Sequence, residues 1–114
     1  MARASFLSLS AIRERLAPIF DRYQIEKAIV FGSYARGDIT RRSDVDLILI
    51  QETDKRFLDR YEGIFYDINQ ALGSCGADVL IYTPEELQAI SHRRFISRAL
   101  REGKVIYERA KEPA

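Results

Sequence analysis

The segment Gly32-Ser33-Tyr34-Ala35-Arg36-Gly37 is followed, after five residues, by Ser43-Asp44-Val45-Asp46-Leu47. A glycine-serine turn lets backbone N–H groups approach a phosphate closely, and the Ser33 hydroxyl can add a bond to a phosphate oxygen. Two carboxylates at alternate positions suit a hard divalent cation. A phosphate cradle beside a divalent-metal site is the combination that nucleotidyl transfer requires. Neighbouring chemistries fit less well. Gly37 is followed by Asp38 where a Walker loop has Lys-Ser/Thr, and no Gly-x-Ser-x-Gly elbow presents Ser33 as a nucleophile.

The elements around these residues can hold them at one place. Lys27 to Phe31 and Asp44 to Ile50 are short apolar runs rich in β-branched residues and read as buried strands. Residues two apart in a strand share a face, so Asp44 and Asp46 project together, about 6 to 7 Å apart, while Val45 faces the other way. Parallel strands would leave Asp44 roughly 16 Å from the turn, at about 3.3 Å per residue. Antiparallel pairing brings turn and carboxylates to one end. A helix predicted over Lys55 to Leu72 leads to a third strand, Ala77 to Tyr82, entered through Asp78. A helical crossover joins parallel neighbours, which sets Asp78 at the same sheet end as Asp44 and Asp46. Three unneutralised carboxylates repel one another there, and the arrangement makes most sense with Mg²⁺ between them.

With these residues in view, the chain resembles a minimal nucleotidyltransferase of the DNA polymerase β-like superfamily. The family pattern of Gly-Ser, a nearby Arg-Gly, Ser-Asp-x-Asp-Leu and a later lone strand aspartate is matched by Gly32-Ser33, Arg36-Gly37, Ser43 to Leu47 and Asp78. The resemblance runs from about Lys27 to Tyr107. It implies an α+β palm fold, a small mixed β-sheet covered by helices. It also implies transfer of AMP from ATP to a hydroxyl, with two Mg²⁺ ions held by Asp44, Asp46 and Asp78. Asp78 is then both metal ligand and base for the attacking hydroxyl, and Gly32, Ser33, Arg36 and Ser43 line the nucleotide. Small members of the family are similar to the antitoxin halves of toxin–antitoxin pairs, whose partners are HEPN-domain ribonucleases modified on tyrosine. Transfer to RNA or a small molecule, and non-catalytic toxin binding, remain as alternatives.

Several of these residues have plainer readings. Arg36 is equally a surface charge, a loop-locking salt bridge or a phosphate contact, and Ser43 fits a loop-orienting role better than a chemical one. Asp38, Arg41 and Arg42 can simply solvate their loop. Tyr61, Phe65, Tyr66 and Phe95 read as core residues before base-stacking platforms. His92 reads as a surface residue and Cys75 as an inert thiol beside a turn.

Composition narrows the classes further. A chain of 114 residues is expected to form one domain, 1–114 with its core at about 10–108, without the nucleic-acid-gripping domains of a polymerase. A net charge of +1 argues against a surface that coats nucleic acid. Basic charge is local: His92 to Lys104 holds Arg93, Arg94, Arg98, Arg101 and Lys104 against only Glu102. One cysteine and one histidine cannot furnish a structural zinc site, and a lone Cys75 fits a reducing compartment. With no apolar run near 18 residues and no signal pattern at Met1 to Ser10, a cytoplasmic protein is expected.

The remaining elements follow from periodicity and caps. Ser8 or Ser10 can cap a helix over Ala11 to Tyr23, with Pro18 marking a kink or break. An apolar stripe of Phe57, Leu58, Tyr61, Ile64, Phe65, Ile68 and Leu72 is expected to cover the sheet. Thr83, Pro84 and Glu86 form a helix-start signature. A helix over Arg93 to Arg101 leads into a strand at Val105 to Tyr107, and Lys111 to Ala114 reads as a frayed tail.

Overall fold

The computed structural model describes residues 7–40, 43–73 and 75–109. The sequence expectations for Arg41, Arg42 and the Lys111 to Ala114 tail lie outside these residues. Four strands, β1 (Lys27–Phe31), β2 (Val45–Ile50), β3 (Ala77–Tyr82) and β4 (Lys104–Glu108), form one mixed sheet in the order β3-β2-β1-β4. β1 runs antiparallel to both β2 and β4, and β2 runs parallel to β3. The fold class read from the sequence is therefore present.

Alternation along the strands divides the core in two. Val30, Val45, Leu47, Leu49 and Ile81 point to one face, where α1 (Leu9–Arg22) and α3 (Ile64–Leu72) cover them with Ile12, Leu16, Phe20, Ile64 and Ile68. Ile29, Phe31 and Ile48 point to the other face, against Leu87 of α4 (Pro84–Ile90) and Ile96 and Ala99 of α5 (Arg94–Glu102). Asp46 lies on this second face, between Ile48 and the strand entrance.

Local signals place the helix ends. The Ser8 hydroxyl accepts the Ala11 N–H at 3.1 Å, capping α1. α1 runs through Pro18 without interruption, so of the expected kink or break the break does not occur. Pro18 and Glu14 both sit on the exposed side of the helix, where water can take the carbonyl that the missing N–H leaves free. Thr83 and Glu86 form a reciprocal capping box at α4.

The helix expected over Lys55 to Leu72 is two elements. A 3₁₀ turn, Leu58–Tyr61, is followed by Gly63 at φ +80°, and α3 starts only at Ile64. Tertiary contacts override the helical periodicity here. Arg60 is buried under the turn and donates to the carbonyls of Lys55 and Ile81, at 3.0 and 3.2 Å. It also forms a two-pronged ion pair with Glu86, at 2.6 and 2.9 Å. A Cβ at Gly63 would lie 2.6 Å from the Tyr23 hydroxyl, which itself donates to Asp67 of α3 at 2.7 Å. As a result Ile64, Ile68 and Leu72 cover the sheet, whereas Phe57, Leu58 and Phe65 are exposed.

The Arg60–Glu86 pair gives a stability prediction with a defined sign. The guanidinium and the Thr83 N–H hold the Glu86 carboxyl down, from 4.5 to about 2. Its contribution is complete above pH 4.5 and is lost as the pH falls through about 2. Glu86→Gln should therefore lower the melting temperature at pH 7 and flatten the loss of stability between pH 4.5 and 2. Melting curves across that range, compared with wild type, check it.

Candidate active site

β1, β2 and β3 deliver their functional residues to one end of the sheet. Phe31, the last residue of β1, is opposite Asp46, and Asp46 is opposite Asp78. The antiparallel β1–β2 pairing and the parallel β2–β3 crossover are those that the sequence required. Beyond Phe31 the chain turns sharply at Gly32, φ +73° and ψ −149°, into the single helical turn α2 (Ser33–Arg36), which Gly37 ends at φ +88°. The Gly32 carbonyl accepts the N–H groups of Ala35 and Arg36, both at 3.0 Å, so the turn is closed by its own backbone.

Each of the paired aspartates rests against a glycine. A Cβ at Gly32 would overlap Oδ2 of Asp46, and one at Gly76 would lie 2.8 Å from Oδ1 of Asp44. Asp44 precedes β2, and the adjoining Val45 N–H donates to the Gly76 carbonyl at 2.9 Å, which pins it beside the entry to β3. Gly76 was not singled out in the sequence, where it reads only as a turn residue after α3.

Two clefts meet at Asp46. The first, about 280 Å³, is lined by Gly32, Ser33 and Arg36 on one wall and by Phe95, Arg98, Ala99 and Glu102 of α5 on the other. The second, about 540 Å³, is lined by Asp78, Phe65, Val79 and Leu80. Phe31, Asp46 and Phe95 belong to both. Asp44 and Ser43 lie outside both linings. The Ser43 hydroxyl accepts the Thr40 N–H at 2.8 Å and its own N–H donates to the Thr40 carbonyl at 3.0 Å, so Ser43 closes the loop before β2.

Electrostatics single out Asp46. Burial, then the neighbouring Asp78 carboxylate and its hydrogen bond, then Asp44, push the Asp46 carboxyl up to about 6 against the opposing pull of Arg36. Among the described residues no three carboxylate, thiol or imidazole groups are gathered closely enough to hold an ion as they stand. The donor set and charge nevertheless fit a hard cation. All three groups are carboxylates, and the two that face each other in register carry negative charge that a divalent ion would offset.

α5 supplies what the sequence reading passed over. Phe95 is 59% exposed and Phe65 45% exposed, so both are walls of the clefts and not core as expected. Tyr66 is also exposed, and Tyr61 is the exception, half-buried with its hydroxyl accepting the Ile81 N–H at 3.0 Å. Phe95 packs edge-on against Phe31 with ring centroids 5.6 Å apart. Positions 95, 98, 99 and 102 recur at helical spacing on one face, and that signal was available in the sequence. Arg36 forms the loop salt bridge among its readings, pairing with Asp38 at 3.3 Å, and it also lines the first cleft. Cys75 sits 3.6 Å from the Tyr34 hydroxyl, which burial pushes up to about 12, and His92 is exposed between α4 and α5. No described helix is long and apolar enough to cross a membrane.

Comparison with known proteins agrees with this geometry. The sequence profile described as "Polymerase beta, Nucleotidyltransferase" matches residues 14–112. A Methanocaldococcus jannaschii protein named "Putative protein adenylyltransferase" is 30% identical over 76 residues, which cover 67% of this chain and 80% of that protein. A crystal structure of a toxin–antitoxin with AMP-PNP superposes with a TM-score of 0.65 at 17% identity, over 85% of this chain and 73% of the other. A tri-AMPylated Shewanella oneidensis HEPN toxin in complex with MNT antitoxin contains a chain that superposes with a TM-score of 0.56 at 13% identity, over 89% of this chain and 73% of that one. At these identities the structural likeness establishes the fold.

Proposed function

Because the chain belongs to the polymerase β nucleotidyltransferase family, we propose that it transfers AMP from ATP to a tyrosine hydroxyl of a cognate HEPN toxin, acting as the antitoxin of the pair in the cytoplasm. The observation that carries this reading is the position of Asp46 at the shared edge of two clefts, the first with the charged side chains of Arg36, Arg98 and Glu102 and the second with Asp78. One cleft has a glycine-serine turn and two arginines, which pair with Glu102 in the absence of nucleotide. The other offers aromatic and aliphatic walls with Asp78 at their edge, an environment suited to a phenol ring with its hydroxyl toward a carboxylate.

The chemistry follows from that division. The triphosphate lies along Gly32, Ser33 and Arg36, and the acceptor enters from the Asp78 side, so the acceptor oxygen approaches the α-phosphorus opposite the departing pyrophosphate oxygen. The acceptor oxygen forms the new bond to phosphorus as the bond to the bridging oxygen breaks and pyrophosphate leaves. Asp78 takes the acceptor's proton. Asp44, Asp46 and Asp78 would hold Mg²⁺, which when bound neutralises phosphate charge and lowers the acceptor's pKa. The remaining work is positioning, which a close-packed turn and a carboxylate locked against a glycine perform well.

The partner assignment draws on relatives. A related protein bears the adenylyltransferase name, and a complex of the same fold pairs an MNT antitoxin with an AMP-bearing HEPN toxin. The deciding experiment recovers the chain with its native partner, incubates the pair with ATP and Mg²⁺, and measures intact masses. An AMP-sized increase on the partner's tyrosine supports the reading. AMP on an RNA end would keep the transferase and discard the antitoxin role. Neutralisation of the toxin without any AMP would leave steric binding in its place.

Ser33→Ala tests the phosphate wall. Loss of one hydroxyl donor beside intact backbone donors is expected to raise the KM for ATP about tenfold while kcat changes little. Steady-state kinetics on the purified pair separate the two parameters.

A further inference from the structure

The wall of the first cleft contains its own anion. Glu102, near the end of α5, directs Oε1 to Nη1 of Arg36 at 3.7 Å and Oε2 to Nε of Arg98 at 3.2 Å. One carboxylate thus bridges two guanidinium groups that come from opposite walls, and all three side chains line the cleft with Gly32, Ser33 and Asp46. The Arg98–Glu102 pair alone would be an ordinary i,i+4 contact on an exposed helix, worth little. Arg36, reaching across from α2, makes the three converge.

We propose that Glu102 occupies a phosphate subsite of the nucleoside triphosphate when the site is free of ligand, and that Arg98 is a triphosphate-binding residue opposite Arg36. The proposal rests on the nucleotidyltransferase reading above and adds to it a binding residue and an internal competitor. Paired guanidiniums recognise carboxylate and phosphate oxygens by the same forked donor geometry, so one anion can replace the other. Asp46 and Glu102 balance Arg36 and Arg98 across the cleft, charge for charge. A triphosphate needs surplus positive charge, and displacement of Glu102 supplies it by releasing Arg98 and Nη1 of Arg36, whose Nε stays on Asp38.

The exchange needs no backbone movement. Gly103 follows Glu102 directly, donates its N–H to the Ala99 carbonyl at 2.8 Å, and leaves no room for a side chain between that oxygen and Ile29. The end of α5 is therefore fixed on β1. The Glu102 side chain alone must rotate out, and triphosphate binding carries the cost of breaking its two ion pairs.

The sign of one substitution tests this. Glu102→Gln keeps the side chain's shape and removes its charge, so the full-length protein should bind AMP-PNP with Mg²⁺ about fivefold more tightly than wild type, by isothermal titration calorimetry. Arg98→Ala should bind it about tenfold more weakly, with Arg98→Lys between the two. Inorganic tripolyphosphate should reproduce both changes, and AMP, which lacks the β- and γ-phosphates, should show neither. Weaker binding by Glu102→Gln would overturn the proposal, since it would make Glu102 a support for the arginines. Affinities within twofold of wild type for both variants would also overturn it and leave the transferase reading intact. If wild type and variants alike fail to bind AMP-PNP while all show a cooperative melting transition, the transferase reading falls, and this inference with it.

Discussion

Asp46→Asn is expected to reduce AMP transfer by about 10³-fold while raising the melting temperature of the protein without metal. The first effect follows from the loss of a charge that both clefts share, which removes several kcal/mol of transition-state stabilisation at about 1.4 kcal/mol per factor of ten. The second follows from the direction of the Asp46 shift. A carboxyl pushed up from 3.8 to about 6 is destabilised in its ionised form, so the folded state bears a penalty that grows as the pH rises from 3.8, is complete above about 6, and is removed by the neutral amide. The variant should therefore gain most stability above about pH 6, as at pH 7.5, and progressively less as the pH falls toward 3.8. Transfer assays with Mg²⁺ and melting curves without it check the two halves separately. A variant that loses both stability and activity would mark Asp46 as a structural residue. One that keeps full activity would remove it from the chemistry.

Gly32→Ala should be nearly as damaging to transfer, for a different reason. Its φ of +73° with ψ of −149° is a backbone conformation that essentially only glycine adopts, and the new methyl group would overlap the Asp46 carboxylate. The strain should cost about 2 kcal/mol of stability. Displacing the carboxylate by about 1 Å should cost at least about 100-fold in transfer. Gly37→Ala is the control. Gly37 also has a positive φ, +88°, yet a Cβ there meets nothing within 4 Å, so that variant should lose about 1 kcal/mol and keep its activity. Equal activity losses in the two variants would assign the effect to backbone strain and not to the carboxylate's seat.

What the sequence made legible was the part governed by short-range rules. Strand alternation and the parallel helical crossover placed Asp46 and Asp78 at one sheet end, and the structure pairs them in register. The capping box at Thr83 and Glu86 was likewise visible, because caps are written in adjacent residues. Errors arose where distant residues decide the outcome. Nothing near Arg60 announces that its guanidinium is claimed by Glu86 and the Ile81 carbonyl, and that capture interrupts a well-patterned helix. Phe65 and Phe95 looked like core because an apolar side chain carries no mark of whether its face is covered. Arg98 carried no mark of a site role because Arg36, which shares the Glu102 carboxylate with it, lies on another element.

β1 is the hinge of assembly as well as the floor of the site, because its neighbours come from opposite ends of the order of synthesis. Lys27 pairs with Ile50 on one side and with Glu108 on the other. During translation the first three strands can associate, exposing the carboxylate edge, before β4 has left the ribosome. α5, which carries Arg98, leads through Gly103 directly into β4. The long-range closure of β4 on β1 should set the pace of folding. A nascent chain stalled before it would present an open apolar face to chaperones.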